Sequence, residues 1–220
     1  MKSARRCWGL ALTLLLASGF LLASGPARAQ LLERVRMGPS ISLDLGILAP
    51  SDSDLMDTYG ILPAVGARAS LNLDKALEFY IGASYTRKSG DPYYDDGTFA
   101  GPKARLTAVP IRFGLRHDLL DTPGRALFIG TEIHYLWVKE RVPGTASADQ
   151  PRSPEYDGWG WGWQITAGPE WEAKADRVAF GIEVALGRNN VRVEHFDAFQ
   201  RRRDVDLSAF SSRGYVTLFF

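Results

Sequence analysis

Trp159-Gly160-Trp161-Gly162-Trp163-Gln164-Ile165-Thr166-Ala167-Gly168-Pro169-Glu170-Trp171-Glu172 alternates large apolar residues with small or polar ones. A period of two puts Trp159, Trp161, Trp163, Ile165, Ala167, Pro169 and Trp171 on one face of a strand, with the glycines, Gln164, Thr166 and Glu170 on the other. A helix would scatter Trp159, Trp161 and Trp163 around three sides. The stretch therefore reads as a β-strand.

The same alternation recurs along the 220-residue chain. Residues 39–48 set Ile41, Leu43, Leu45 and Ile47 against Ser40, Ser42, Asp44 and Gly46; residues 63–73 set Val65, Ala67, Ala69 and Leu71 against Gly66, Arg68 and Ser70. Residues 77–87 oppose Phe79, Ile81 and Tyr85 to Glu78, Tyr80 and Gly82. Residues 105–117 oppose Val109, Ile111, Phe113 and Leu115 to Arg112, Gly114 and Arg116. Residues 126–138 oppose Leu127, Ile129, Ile133, Tyr135 and Trp137 to Phe128, Glu132 and His134, and residues 178–186 oppose Phe180, Ile182 and Val184 to Gly181 and Glu183. An eighth segment, Gly214-Tyr215-Val216-Thr217-Leu218-Phe219-Phe220, reaches the last residue. Val216, Leu218 and Phe220 are read as its apolar face, although Tyr215 and Phe219 leave that phase, and whether Phe219 or Phe220 faces outward, open.

Short connections at 74–76, 118–124 and 174–177 carry Asp, Pro and Gly, as tight turns do. They alternate with long polar ones at 49–62, 88–103, 139–158 and 188–206. Pro110 and Pro169 fall inside strands, where a missing N–H predicts a bulge or a local break.

Alternation alone does not say which face points out, since soluble and membrane barrels differ only in its sense. The apolar phase of the first seven segments carries no charge until the strand ends, where Arg87, Arg105 and His117 stand within reach of a headgroup. The other phase is rich in glycine and poor in the Lys and Glu that a water-facing surface carries. Aromatics gather in two groups. Tyr85, Tyr135, Trp137, Trp159 and Trp161 lie beside the long connections, and Phe79, Trp171, Phe180 and Phe220 lie toward the turns. Two aromatic belts are expected where rings meet the two lipid headgroup layers.

The start of the chain fits export. Lys2, Arg5 and Arg6 precede an apolar stretch from Trp8 to Leu22, and Ala27-Arg28-Ala29 offers a cleavage site before Gln30. Residues 1–29 are expected to be a cleaved signal peptide and 30–220 one barrel domain. Cys7 falls in the signal, so the mature chain has no thiol chemistry. Lys2, Arg5, Arg6 and Arg28 fall there too, leaving 22 of 26 basic residues against 25 acidic ones, a net charge near −3 that does not suggest nucleic acid.

Signal, eight alternating segments, short and long connections, aromatic belts and the terminal Phe220 together resemble the small bacterial outer-membrane β-barrel superfamily, the porin-family or outer-membrane β-barrel domain proteins of Gram-negative envelopes. The likeness covers residues from about 36 to 220. It implies an all-β fold, an eight-stranded antiparallel up-and-down transmembrane barrel, with both termini in the periplasm. It also implies a monomer bedded in outer-membrane lipid and lipopolysaccharide, inserted by the barrel-assembly machinery through the C-terminal strand.

An eight-stranded lumen is just wide enough for side chains to fill. Asp44, Arg68, Glu78, Arg112, Arg116, Glu132, His134, Glu170 and Glu183, with Tyr80 and Gln164, are expected to line it as an ion-pair network, because buried charges must pair. The same charges could instead line a narrow proton or solute path. The family also includes lipid A-modifying enzymes, but the His-x-Ser of a lipid A deacylase is absent at His117, His134 and His195, and Asp95-Asp96 reads as a solvated turn. Glu194-His195 with Asp197 is explained by loop polarity. No cofactor or metal is expected: 91–97 is acidic without calcium-loop spacing. Arg201-Arg202-Arg203 suits phosphate, but Asp204 and Asp206 follow at once. A structural or surface-interaction role is expected first, a narrow channel or a lipid A-modifying enzyme next.

Overall fold

The structure, a computed structural model, describes residues 38–74, 76–90, 103–122, 124–141, 155–174, 177–194, 202–206 and 209–220. The signal segment, the 91–97 and 201 positions, His195 and Asp197 lie outside these, and the side chains of Glu194, Arg202 and Arg203 are not described.

The strands are β1 (Pro39–Pro50), β2 (Leu62–Asn72), β3 (Leu77–Gly90), β4 (Ala104–Thr122), β5 (Arg125–Arg141), β6 (Glu155–Lys174), β7 (Val178–Glu194), β8 (Arg202–Asp206) and β9 (Ala209–Phe219). Each pairs antiparallel with its neighbour in chain order from β1 to β7. β7 then pairs with both β8 and β9 in one register, Asn190 opposite Asp206 and Gly187 opposite Ala209, so β8 and β9 share the eighth place in the wall. β9 pairs with β1 from Ser40–Phe219 to Pro50–Ala209, which closes the barrel. Closure leaves the transmembrane wall without a free edge, the condition for a sheet in lipid.

The sense of the barrel is the reverse of a soluble protein's. Leu43 and Leu45 are 67% and 69% exposed while Ser42 and Asp44 beside them are buried. Across the middle of the wall the outward phase is apolar, from Ile41 through Phe113, Ile133, Trp163 and Ile182 to Leu218. A continuous band of this kind far exceeds the apolar patches of soluble monomers. Among the described residues no helix is long and apolar enough to cross a membrane.

Both prolines open the ladder without shifting it. Pro110 keeps its partner Leu136 on β5, but pairing between β3 and β4 stops at Ala83–Ile111 and resumes in the same register at Thr86–Ala108. Pro169 keeps Leu127, while pairing between β6 and β7 lapses between Ala167–Val184 and Glu170–Gly181. The register shifts occur elsewhere, at Asp118/Leu120 and Glu172/Lys174 near the short turns.

Three sequence expectations need correction. The strands run past the sequence boundaries: β3 reaches Gly90, β5 Arg141 and β7 Glu194, while β4 continues to Thr122. Charged residues end the apolar alternation but not the hydrogen bonding, because beyond the lipid a ladder needs no apolar face. The eighth strand begins at Ala209, well before Gly214. And the 49–62 connection is not simply a polar loop. Asp52 Oδ1 accepts from the Leu55 N–H at 3.2 Å and caps a short helix, α1 (Ser53–Tyr59). Leu55 and Tyr59, four apart, share a face that turns into the barrel mouth and is buried there.

Candidate functional site: the lumen

The inward phase divides into two storeys. Toward the long connections it is apolar: Leu55 and Tyr59 of α1 pack with Leu62, Leu106, Leu136, Val138 and Val191. The charged positions expected of the lumen thus fill only part of it. The Tyr59 hydroxyl crosses to β5 and donates to Glu140 Oε1 at 2.5 Å. Burial, and then the Glu140 carboxylate beside it, push the Tyr59 phenol above its ordinary pKa.

Toward the short turns the lumen is charged, and its charges match one to one. Arg68 on β2 donates to Glu183 on β7 at 3.0 Å; Arg112 on β4 donates to Asp44 on β1 at 2.9 Å. Arg116 on β4 donates to Glu170 on β6 at 2.9 Å, and Arg213 on β9 to Glu132 on β5 at 3.0 Å. All eight residues are buried. Four guanidiniums facing four carboxylates leave no net charge among them, and their mutual attraction offsets part of the cost of taking the ions out of water. Glu78 is less enclosed and lies 3.8 Å from Arg116.

Glu132 is the hub. Its carboxylate accepts from the Tyr80 hydroxyl at 2.6 Å, from Arg213, and from Gln164, and lies 2.8 Å from His134 Nε2. Arg213 also pairs with Glu183, joining this hub to Arg68. Arg68 is held between aromatic faces, 5.3 Å from the centre of the Tyr80 ring and 4.3 Å from that of Tyr215. Below it the Tyr215 hydroxyl donates to Glu170 at 2.9 Å, and Arg116 lies 3.9 Å over the Phe128 ring. Ser42 and Thr217 hydrogen bond across the closing seam at 2.7 Å.

Glycines make room for these large groups. A Cβ at Gly114 would run into the Tyr80 ring and one at Gly181 into the Tyr215 ring. Each glycine is the ladder partner of the tyrosine that lies across it. The glycine-rich phase is thus the floor on which long side chains lie flat.

The structure brings Asp44, Arg68, Arg112, Arg116, Glu132, His134, Glu170 and Glu183 into one connected interior, with Glu78 at its margin. Arg213, Tyr215 and Thr217 belong to it equally and were not among the sequence candidates. Their signal was present: Val216 and Leu218 face outward, so the odd residues of β9 face in. Phe220 is 73% exposed and Phe219 half-buried, so the terminal ring points outward. The Phe220 N–H donates to the Pro39 carbonyl at 3.1 Å.

Between the two storeys lies a small cavity, part of it open to solvent. Arg112, His134 and Arg213 border it on the charged side, Leu62 and Leu136 on the apolar side.

On the outer wall, Tyr135 stacks on Trp159 with ring centres 6.2 Å apart and meets Trp161 edge-on at 5.1 Å. Tyr85 and Trp137 are exposed on the same half. Toward the turns Trp171 stacks on Phe180 at 5.5 Å, and Phe79 is exposed. Among the described residues no group of His, Cys, Asp and Glu is arranged to hold a metal.

No protein-family model matches the sequence, and no curated protein matches it. Solved structures do match. The chain superposes on Neisserial surface protein A with a TM-score of 0.55 and 13% identity, covering 83% of this chain and 97% of that one. Outer membrane protein OprG from Pseudomonas aeruginosa gives 0.56 and 11% identity over 86% and 98% of the two chains. Outer membrane protein AlkL gives 0.50 and 8% identity over 90% and 95%. With the closed, inside-out wall described above, these likenesses show that the chain has the fold of the small eight-stranded outer-membrane β-barrels.

Proposed function

We propose that this chain is an exported, integral outer-membrane protein whose barrel is plugged and does not conduct, and whose role lies in its outward-facing surface in the cell envelope. The observation that carries the reading is the one-to-one ion-pair set centred on Glu132. It links β1, β2, β4, β5, β6, β7 and β9 through paired side chains that cross the lumen from wall to wall. Opening a path would separate buried partners, and breaking one such pair costs about 3–5 kcal/mol. The barrel acts as a monomer, inserted by the barrel-assembly machinery through β9, with Phe220 presented at its outer face.

The cavity between the storeys favours one second reading, a narrow channel for a small solute, with α1 as the obstruction at the mouth. A lipid-modifying enzyme draws less support. Among the described histidines, His134 is tied to Glu132 inside the lumen and His117 is exposed near the short-turn end. Planar-bilayer recording on the purified barrel separates the first two readings. A plugged barrel gives a flat baseline, whereas discrete conductance steps would establish the channel. Unchanged lipid A mass spectra in expressing cells would accord with a non-enzyme, and a mass shift against a control would overturn it.

A further inference from the structure

The ion pairs do not surround the cavity evenly. Arg112 on β4, its ladder partner His134 on β5 and Arg213 on β9 border it. Asp44, Glu132 and Glu183, the carboxylates that pair with them, do not. Each of these pairs thus shows the cavity its guanidinium or imidazole side. Among the described residues no Asp or Glu lines it. Ser84 on β3 and Gln164 on β6 add neutral polar groups from two further walls. A cleft with low-dielectric walls and one sign of charge concentrates the opposite sign.

Arg112 supplies a second, separate observation. It is 2% exposed, its Nη2 donates to Asp44, and its Nε–H has no hydrogen-bond partner among the described residues. A buried donor left unpaired is costly, and an acceptor entering the cavity relieves that cost. Above the cations the lining changes character. Pro110 stands two residues from Arg112 and Leu136 two residues from His134, a rise of ~7 Å along each strand. Leu62 and Ala64 of β2 continue this apolar level. A ligand that suits both levels carries an anionic acceptor at one end and a short apolar tail at the other.

We propose that this cavity binds a short-chain monocarboxylate, its carboxylate accepting from Arg112 and Arg213 and its tail lying against Pro110, Leu136 and Leu62. Hydrogen bonds between a guanidinium and a carboxylate are charge-assisted and stronger than neutral ones. An alcohol or alkane of the same length gains the apolar contact and little else, so the head group decides what is held. The site does not depend on whether the barrel conducts: conductance steps would defeat the plugged-barrel reading and leave it standing.

NMR of the barrel, expressed from Gln30 onward with isotope-labelled arginine and held in phospholipid nanodiscs, tests it. The probes are hexanoate and 1-hexanol, with empty nanodiscs as the control for partition into lipid. Hexanoate is expected to move the Arg112 Nε–H resonance saturably, and 1-hexanol to bind at least about tenfold more weakly. Arg112→Lys removes that resonance and so assigns it. Ala64→Leu fills the apolar level without touching a charge and should weaken hexanoate about tenfold or more. Asp44→Asn with Arg112→Gln removes the head-group partner without leaving a lone buried charge, and saturation transfer to hexanoate should fall to the empty-nanodisc level. An Arg112 resonance that hexanoate does not move, equal binding of 1-hexanol, or wild-type binding by either variant would each overturn the site. Heat-modifiable migration on a gel reports folding for every variant. If the Asp44–Arg112 double variant does not fold, Ala64→Leu and the alcohol comparison decide. Loss of heat-modifiability in the wild-type chain would defeat the barrel reading, whereas failed binding by a folded barrel defeats only this site.

Discussion

Arg213 on β9 and Glu132 on β5 meet across the lumen, the Arg213 Nη2 donating to both carboxylate oxygens at 3.0 and 3.2 Å. Neither strand neighbours the other in the wall, so the pair ties opposite sides of the barrel together. Glu132 also satisfies Tyr80 and Gln164 and sits against His134, so its loss orphans several buried groups at once.

Glu132→Ala should therefore cost about 3–5 kcal/mol, the range for removing one member of a buried pair. Replacing both members with apolar residues, Glu132→Leu with Arg213→Met, should recover part of that loss, because no lone charge is left enclosed. Reversible urea unfolding in phospholipid vesicles measures both. A double variant less stable than Glu132→Ala would mean that the pair contributes more than mutual neutralisation.

Gly114 and Tyr80 should be energetically coupled. A methyl at Gly114 meets the Tyr80 ring, so Gly114→Ala should destabilise by about 1–3 kcal/mol as overpacking does. In a Tyr80→Ala background the same change should cost little. A double-mutant cycle in the same unfolding assay checks this, and additive costs would show that the ring does not occupy the glycine's space.

The apolar upper storey should depend on α1. Val138 is buried beneath Leu55 and Tyr59, and the only cysteine in the sequence, Cys7, precedes the barrel. Val138→Cys in a chain expressed from Gln30 onward thus carries a single reporter. Its labelling by a small maleimide should be slow, and at least about tenfold faster when Leu55→Asp is added, because a carboxylate cannot stay in that apolar contact. Equal rates would show that α1 does not shield the lumen mouth.

Much of this was legible in the residues because lipid imposes a strict alternation. Trp159 to Trp171 and Ile129 to Trp137 keep one apolar phase throughout, so the inward positions of Glu132 and Gln164 follow by counting. β9 was harder: Ser212 and Gly214 weaken its outward phase, so the direction of Arg213 follows only by counting back from Val216 and Leu218. Arg213 is nevertheless the partner of the hub. α1 escaped for a different reason. Seven residues with three apolar positions carry too little periodicity, and the helix persists because Leu55 and Tyr59 are buried by the surrounding wall. Strand ends escaped because hydrogen bonding outlasts the lipid-facing pattern, as at Arg141 and Glu155.

The most direct test of the inside-out barrel is the unfolding free energy of Leu43→Arg in phospholipid vesicles. Leu43 is 67% exposed on the outward face while its neighbours Ser42 and Asp44 are buried. If that face meets lipid, Leu43→Arg costs about 2–4 kcal/mol near mid-bilayer, and the same change at Ser89, beyond the aromatic level, costs about 0–1 kcal/mol. A Leu43→Arg variant as stable as the wild type would contradict the account.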